Sequence, residues 1–177
     1  MGEEATAALV QQARAGSARA YEVLVRRHLR AAYAVALAVL RVPAEAEDVA
    51  QEALVVAWER LSECRPEQFS GWLVQIARHV AMNALARRRV RVDFAEREAK
   101  DDAAPEGVSA AVDARARLLK ALEVLDERQR EVVLLHDLEG WSHAEIGESL
   151  GLSEVNSRQL LFTARKALRA ALDPQEA

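Results

Sequence analysis

The segment from Gly140 to Arg169 constrains this chain more than any other, because it spells two helices joined by a tight glycine turn. Ser142 followed three residues later by Glu145 is a capping box that opens a helix. Gly151 supplies the positive φ that ends it, and Ser153 caps the next one. Ala144, Ile146, Leu150 and Leu152 offer small and branched apolar groups for packing. The second helix runs to about Leu172. Its polar start (Glu154, Asn156, Ser157, Arg158, Gln159) and basic tail (Arg165, Lys166, Arg169) suit a helix whose first turns face base edges while its flanks meet phosphate. A plain helical hairpin with a solvated charged face carries the same local signals.

The remaining segments also read at helical period, and no stretch alternates at period two for long enough to propose a sheet. The expected fold class is therefore all-α. A first helix covers about Glu4 to Ala15, ended by Gly16 and followed by the cap Ser17. A long second helix carries Tyr21, Leu24, Val25, His28, Leu29, Tyr33, Leu37 and Leu40 until Pro43, which stops it and pre-sets the third. Glu45, Glu47 and Asp48 favour the start of that helix through its dipole. Its apolar stripe is Val49, Ala53, Val56, Ala57 and Leu61, with Trp58 read as core. A fourth helix begins near Pro66 and runs through Trp72, Leu73, Ile76, Ala77, Val80, Met82 and Leu85 into an arginine run. Residues 93–108 lose the apolar pattern and carry seven charged residues between Glu96 and Glu106, with Pro105 and Gly107. This reads as a flexible acidic linker between two small helical domains, 5–92 and 109–172. Beyond it come a helix from about Ser109 to Leu125, a capping box at Asp126 with Gln129, and a helix to about Leu138.

Aromatic residues make up only 5% of the 177, so the core is built of alanine-rich helical contacts. The single cysteine, Cys64, excludes an internal disulfide and reads as a buried spectator in a reducing compartment. There is no signal-peptide pattern, and the longest apolar run, Ala31 to Leu40, is about half of what spans a bilayer. These features predict a cytoplasmic protein with no direct membrane insertion. A net charge of −4 hides blocks: counting Lys and Arg against Asp and Glu gives −5 over 44–63, +5 over 64–92 and −5 over 93–113. Such a chain is suited to meet DNA with one face and a basic protein with another. His28, His79, His136 and His143 are scattered, and neither a phosphate-binding glycine loop nor a nucleophile elbow occurs. No catalytic residue, metal, cofactor or small-molecule substrate is therefore expected.

Three further motifs carry a family resemblance. Ala44-Glu-Ala-Glu-Asp-Val-Ala-Gln-Glu-Ala-Leu-Val-Val-Ala-Trp-Glu-Arg-Leu61, Phe69-Ser-Gly-Trp-Leu-Val-Gln-Ile-Ala-Arg-His79 and Leu125-Asp-Glu-Arg-Gln-Arg-Glu-Val-Val-Leu-Leu135 precede the helix-turn-helix in order. Over roughly residues 17–172 the chain resembles a bacterial extracytoplasmic-function (ECF) sigma factor. The resemblance implies a sigma region 2 helical bundle (5–92) and a sigma region 4 helix-turn-helix domain (109–172). Together they would direct RNA polymerase core to the −10 and −35 promoter elements. Asp48, Gln51, Glu52 and Glu59, whose spacing puts them along one flank of the third helix, would then grip the polymerase β′ clamp helices, and the β flap is a second contact. Arg78, His79 and Asn83 would lie close to the opened −10 strand, with Arg87, Arg88, Arg89 and Arg91 on phosphate. Ser142, Glu154, Asn156, Ser157, Arg158, Arg165 and Lys166 would serve the −35 element. An anti-sigma factor, often membrane-attached, is the further partner implied.

The chain departs from the family pattern at His79, where asparagine is common, and at Asn83, where aspartate is. Val155-Asn-Ser-Arg-Gln-Leu-Leu161 replaces a frequent Gly-Thr-Val-Lys-Ser-Arg-Leu, and Thr163 replaces a common arginine, so the −35 sequence does not transfer. Two other readings use some of the same features: a stand-alone helix-turn-helix regulator, and a sigma-like decoy that binds core without initiating.

Overall fold

The computed structural model describes the backbone of residues 2–95 and 110–172, and side chains over 5–89 and 116–172. Among the described residues the chain is helical throughout. The order is α1 (Gly2–Arg14), α2 (Ala18–Leu40), α3 (Pro43–Glu59), α4 (Phe69–Ala95), α5 (Ala110–Leu122), α6 (Glu127–Val133), α7 (His143–Leu150) and α8 (Glu154–Leu172), with 3₁₀ turns at Leu61–Glu63 and Pro66–Gln68.

Local chemistry sets the joints. Gly16 at φ 97° lets the chain leave α1, and the Ser17 hydroxyl accepts from the Ala20 N–H at 3.2 Å to open α2. α2 ends on Arg41, a non-glycine residue at φ 61° whose N–H returns to Leu37 O. That left-handed position costs an L-residue about 1 kcal/mol. It is followed by extended Val42, because Pro43 excludes the helical region from its predecessor. The apolar run noted in the sequence is the central strut of the fold: Ala31, Ala32 and every residue from Ala34 to Leu40 are buried. A helix end that is apolar all round has to be covered all round. α1, α3, α4 and α6 provide that cover. Alanines at 46, 50, 53 and 57 of α3, buried with Val49 and Leu54, allow close helix approach. Phe69, Leu73, Val74 and Ala77 of α4 complete the N-terminal core.

The C-terminal lobe is built around Leu122, Leu125, Val132, Leu135, Ile146, Leu150, Leu161 and Ala164. Both capping boxes are present: Asp126 with Gln129 opens α6, and Ser142 with Glu145 opens α7. Gly151 stands at φ 67°, and Ser153 Oγ accepts from the Asn156 N–H at 3.1 Å to open α8. α6 passes into a π-helical turn, Leu134–Leu138, before Gly140 at φ 73° redirects the chain.

Several outcomes differ from the sequence reading. α4 continues to Ala95, into the segment expected to be linker. The rest of that segment, 96–108, lies outside the described residues. Leu29 and Met82, assigned to apolar stripes, are exposed, and Trp58 is 42% exposed at the edge of the α3 stripe, its ring 4.7 Å from Tyr21. Cys64 is buried, and burial pushes its thiol up to about 11, which keeps it unreactive. The two lobes also pack on one another, through α2 against α6 and α4 against α7.

Candidate nucleic-acid and partner interfaces

α3 turns Asp48, Gln51, Glu52, Val55 and Glu59 outward, at the spacing that places them on neighbouring turns of one face. Asp48, Glu52 and Glu59 make no ion pair with any described residue. Elsewhere carboxylates are engaged: Glu22 by Arg26, Glu45 by Arg88, Glu63 by Arg60 and Glu154 by Arg158. The acidic face has an apolar centre that the sequence reading missed. Val55 is 58% exposed and, with Trp58, Tyr21, Val25 and Leu54, lines a groove of about 350 Å³. The signal was available, because Val55 lies three residues beyond Glu52 and four before Glu59.

The basic end of α4 is less uniform than its sequence. His79, Asn83, Arg87 and Arg89 are exposed. Arg88 is half-buried and reaches back to Glu45 at 3.1 Å, so it ties α4 to α3 rather than pointing outward. Arg91 lies outside the described side chains. Arg78 departs furthest from the expectation of an open DNA contact. Its Nε donates to Glu131 Oε1 at 2.7 Å and its Nη2 to Glu127 Oε1 at 2.5 Å, across the seam between the lobes. Glu131 is completely buried and also accepts from Arg128 at 3.0 Å. Burial pushes its carboxyl above the ordinary range, and the two arginines pull it back only in part. Next to this pair, buried Arg130 donates to Ala38 O at 2.7 Å, taking up one of the last carbonyls of α2. Gln68 meets Glu148, Arg30 meets Glu139, and Gly71 lies so close to α7 that a Cβ there would stand 2.7 Å from Ser149 Oγ.

In the helix-turn-helix, α7 and α8 meet with Ile146, Leu150 and Leu161 between them. Glu154, Asn156, Arg158 and Lys166 are exposed as expected, and Glu154 holds Arg158 at 2.7 Å. Ser142 is exposed, but its hydroxyl is occupied by the cap with Glu145. Ser157 corrects the sequence reading: it is completely buried, and its Oγ lies 2.9 Å from His143 Nδ1, fastening α8 to α7. Its register gave this away, since Ser157 is four residues before buried Leu161 and seven before Ala164. Arg165 is also committed, its guanidinium forking onto Asp137. His136 and His143, seven residues apart across the turn into α7, stack with ring centres 4.7 Å apart. Burial first, then the charges of His136 and Arg158, hold the His143 imidazole below its ordinary value. Among the described residues no three His, Cys, Asp or Glu side chains gather in a way that could hold a metal ion. No described helix is long and apolar enough to cross a membrane.

Comparison with known proteins reports the same two lobes. Residues 24–91 match the family model for sigma-70 region 2, and residues 115–168 match sigma-70 region 4. The chain is 33% identical to the RNA polymerase sigma factor CnrH of Cupriavidus metallidurans, over 97% of this chain and 96% of that protein. It is 30% identical to the ECF RNA polymerase sigma factor SigL of Mycobacterium tuberculosis, over 93% and 96%. It is 34% identical to the probable RNA polymerase sigma factor RfaY of Xanthomonas campestris, where the match covers 90% of this chain and 42% of that longer protein. The solved structure of CnrH in complex with the cytosolic domain of CnrY superposes with a TM-score of 0.74 at 29% identity, covering 97% of this chain and 99% of that one.

Proposed function

We infer the working of the two lobes from one fact: this chain belongs to the sigma-70 family, in its extracytoplasmic-function branch. It directs RNA polymerase to specific promoters. In our reading the N-terminal lobe, residues 5–92, docks core polymerase and engages the −10 element. The C-terminal lobe, 109–172, reads the −35 element and meets the β flap. In this reading bond-making stays with polymerase, and the site of action is the cytoplasm.

The observation that carries this reading is the uncommitted acidic face of α3. Asp48, Glu52 and Glu59 stand in water without a described counter-ion, while acids on neighbouring helices are paired. Exposed charges contribute little to folding, so a face kept acidic and unpaired serves a basic partner better than it serves the fold. The β′ clamp helices are that partner. At the −35 end, Arg158 is placed to fork onto a guanine, worth about 1–3 kcal/mol of discrimination, once Glu154 has yielded it. Asn156 and Lys166 flank it. At the −10 end, His79, Asn83, Arg87 and Arg89 present a polar and basic edge for an unstacked strand.

Arg78 adds a condition. In the docked arrangement its guanidinium is spent on Glu127 and Glu131, so it reaches nucleic acid only after the lobes part. A partner that holds the lobes together would silence the factor, and the structural neighbour solved with the cytosolic domain of CnrY supports an anti-sigma protein in that role.

Asp48→Lys together with Glu52→Lys tests the reading. Affinity for purified core polymerase should fall at least tenfold, about 1.4 kcal/mol, with helix content unchanged by circular dichroism. Affinity within about twofold of wild type would refute the assigned surface.

A further inference from the structure

α8 has one buried stripe and one stripe fully turned to water. Ser157, Leu161 and Ala164 face the lobe interior, with Leu160 and Leu168 partly covered. Opposite them, Val155, Arg158, Gln159, Phe162 and Lys166 are exposed. Val155 is the most exposed large apolar side chain among the described residues, at 71%. It occupies the first turn of the helix, next to Glu154. That carboxylate is drawn away along the helix to Arg158 at 2.7 Å, so nothing described covers the valine.

Single exposed apolar residues are ordinary on protein surfaces, so position has to carry the argument. A recognition helix presents its N-terminal residues to base edges in the major groove. The only apolar feature a base pair shows there is the C5-methyl group of thymine. We propose that Val155 is a specificity-determining residue that packs its two methyl groups on a thymine methyl of the −35 element. The inference rests on the reading of α8 as the helix that reads that element. Neighbours three residues apart on a helix are about 5–6 Å apart at Cβ, and successive bases rise about 3.4 Å. The thymine therefore lies one or two base pairs from the base read by Arg158. Arg158 supplies directional hydrogen bonding and Val155 the shape and apolar match beside it, so the pair specifies a guanine and a thymine in fixed spacing.

The test uses holoenzyme reconstituted from the full chain and core polymerase, with a promoter library randomised across the −35 region. Wild-type holoenzyme should select a thymine one or two positions from the base whose preference is lost in Arg158→Ala. Replacing that thymine with deoxyuridine removes the methyl group alone, and should weaken binding about fourfold, the contribution of one buried methyl. Val155→Ala should lose the thymine preference and become indifferent to deoxyuridine. Val155→Thr, which keeps one methyl and the side-chain shape, should retain about half of the effect on a logarithmic scale. Because Val155 is on the surface, both variants should melt with the wild type. If Val155→Ala keeps the wild-type deoxyuridine penalty at every thymine while Arg158→Ala still relaxes one position, the valine assignment is overturned and base reading by α8 stands. If neither variant changes any position, both are overturned.

Discussion

Removing the Arg78 guanidinium should cost about 2 kcal/mol, and most of that cost should vanish when Glu131 is neutral. Arg78 supplies the donor to one oxygen of a carboxylate with no solvent exposure, at 2.7 Å, while Arg128 supplies the other at 3.0 Å. Breaking a buried pair by deleting one partner costs about 3–5 kcal/mol. Here the figure is reduced because the Arg78 side chain is 29% exposed and Arg128 stays in place. The second contact, to Glu127, is partly exposed and adds at most about 1 kcal/mol. Arg78→Ala, Glu131→Gln and the double variant form a cycle, with a coupling expected at about 1–1.5 kcal/mol. Urea titrations should be followed by far-ultraviolet circular dichroism and by tryptophan fluorescence, because Trp72 and Trp141 both line the cleft between the lobes. Loss of the link should make fluorescence change before helix content, showing the lobes parting ahead of unfolding. The pH sign is fixed. Without Arg78 the folded-state value of Glu131 rises further above its unfolded one, so its contribution is fullest at low pH and is lost as pH rises. The Arg78→Ala deficit should therefore shrink as pH falls towards the ordinary carboxylate range. Single-variant losses that add to within about 0.3 kcal/mol would show that the two side chains do not act together.

Gly71→Ala should force the lobes apart, because its Cβ would stand 2.7 Å from Ser149 Oγ, and Ser149→Ala should rescue it since the next atom, Ser149 Cβ, is 3.6 Å away; the same two probes read both. Gly147→Ala should destabilise the helix-turn-helix despite a helix-propensity gain of about 1 kcal/mol. Its Cβ would meet the Leu152 carbonyl at 2.6 Å, a backbone atom that moves only with the turn, and overpacking of that kind costs about 1–3 kcal/mol. Thermal melts of the variant decide it. Burial, then the charge of Arg27, brings His28 from its ordinary 6.5 down to about 4. The group is neutral in the folded state, so its contribution is present above pH 6.5 and is lost towards pH 4, by up to about 3 kcal/mol. His28→Leu, which also removes a buried Nε2 without a protein partner among the described residues, should flatten that acid limb in urea melts at stepped pH.

What the sequence disclosed, and what it withheld, follows the range of the forces. Caps at Ser17, Asp126, Ser142 and Ser153, and the stop at Pro43, depend on neighbours within four residues, and the helix ends fell where those residues put them. The outward acidic face of α3 was legible for the same reason, because periodicity fixes which side chains share a face. Arg78 was not legible as an interlobe partner. Its two carboxylates lie 49 and 53 residues away, and a lone arginine in a basic run carries no mark of where it will be spent. The partners of Arg88 and Arg165 were hidden in the same way, each being a carboxylate brought up by folding. The burial of Ser157 was readable from its register against Leu161, although its polarity points the other way. Trp58 shows the reverse error, a large ring assigned to the core that lies on the rim with Tyr21 over one side.

The most direct measurement is promoter-directed transcription. Full-length chain is added to sigma-free core polymerase with a library of genomic promoter fragments from the native host, and transcript starts are mapped. Discrete starts that share a common −10 and −35 spacing are expected, and they should be lost with the Asp48→Lys, Glu52→Lys chain while core and template are unchanged. Specific binding of the chain alone to DNA, with no transcripts above core alone on any fragment, would contradict the sigma-factor reading.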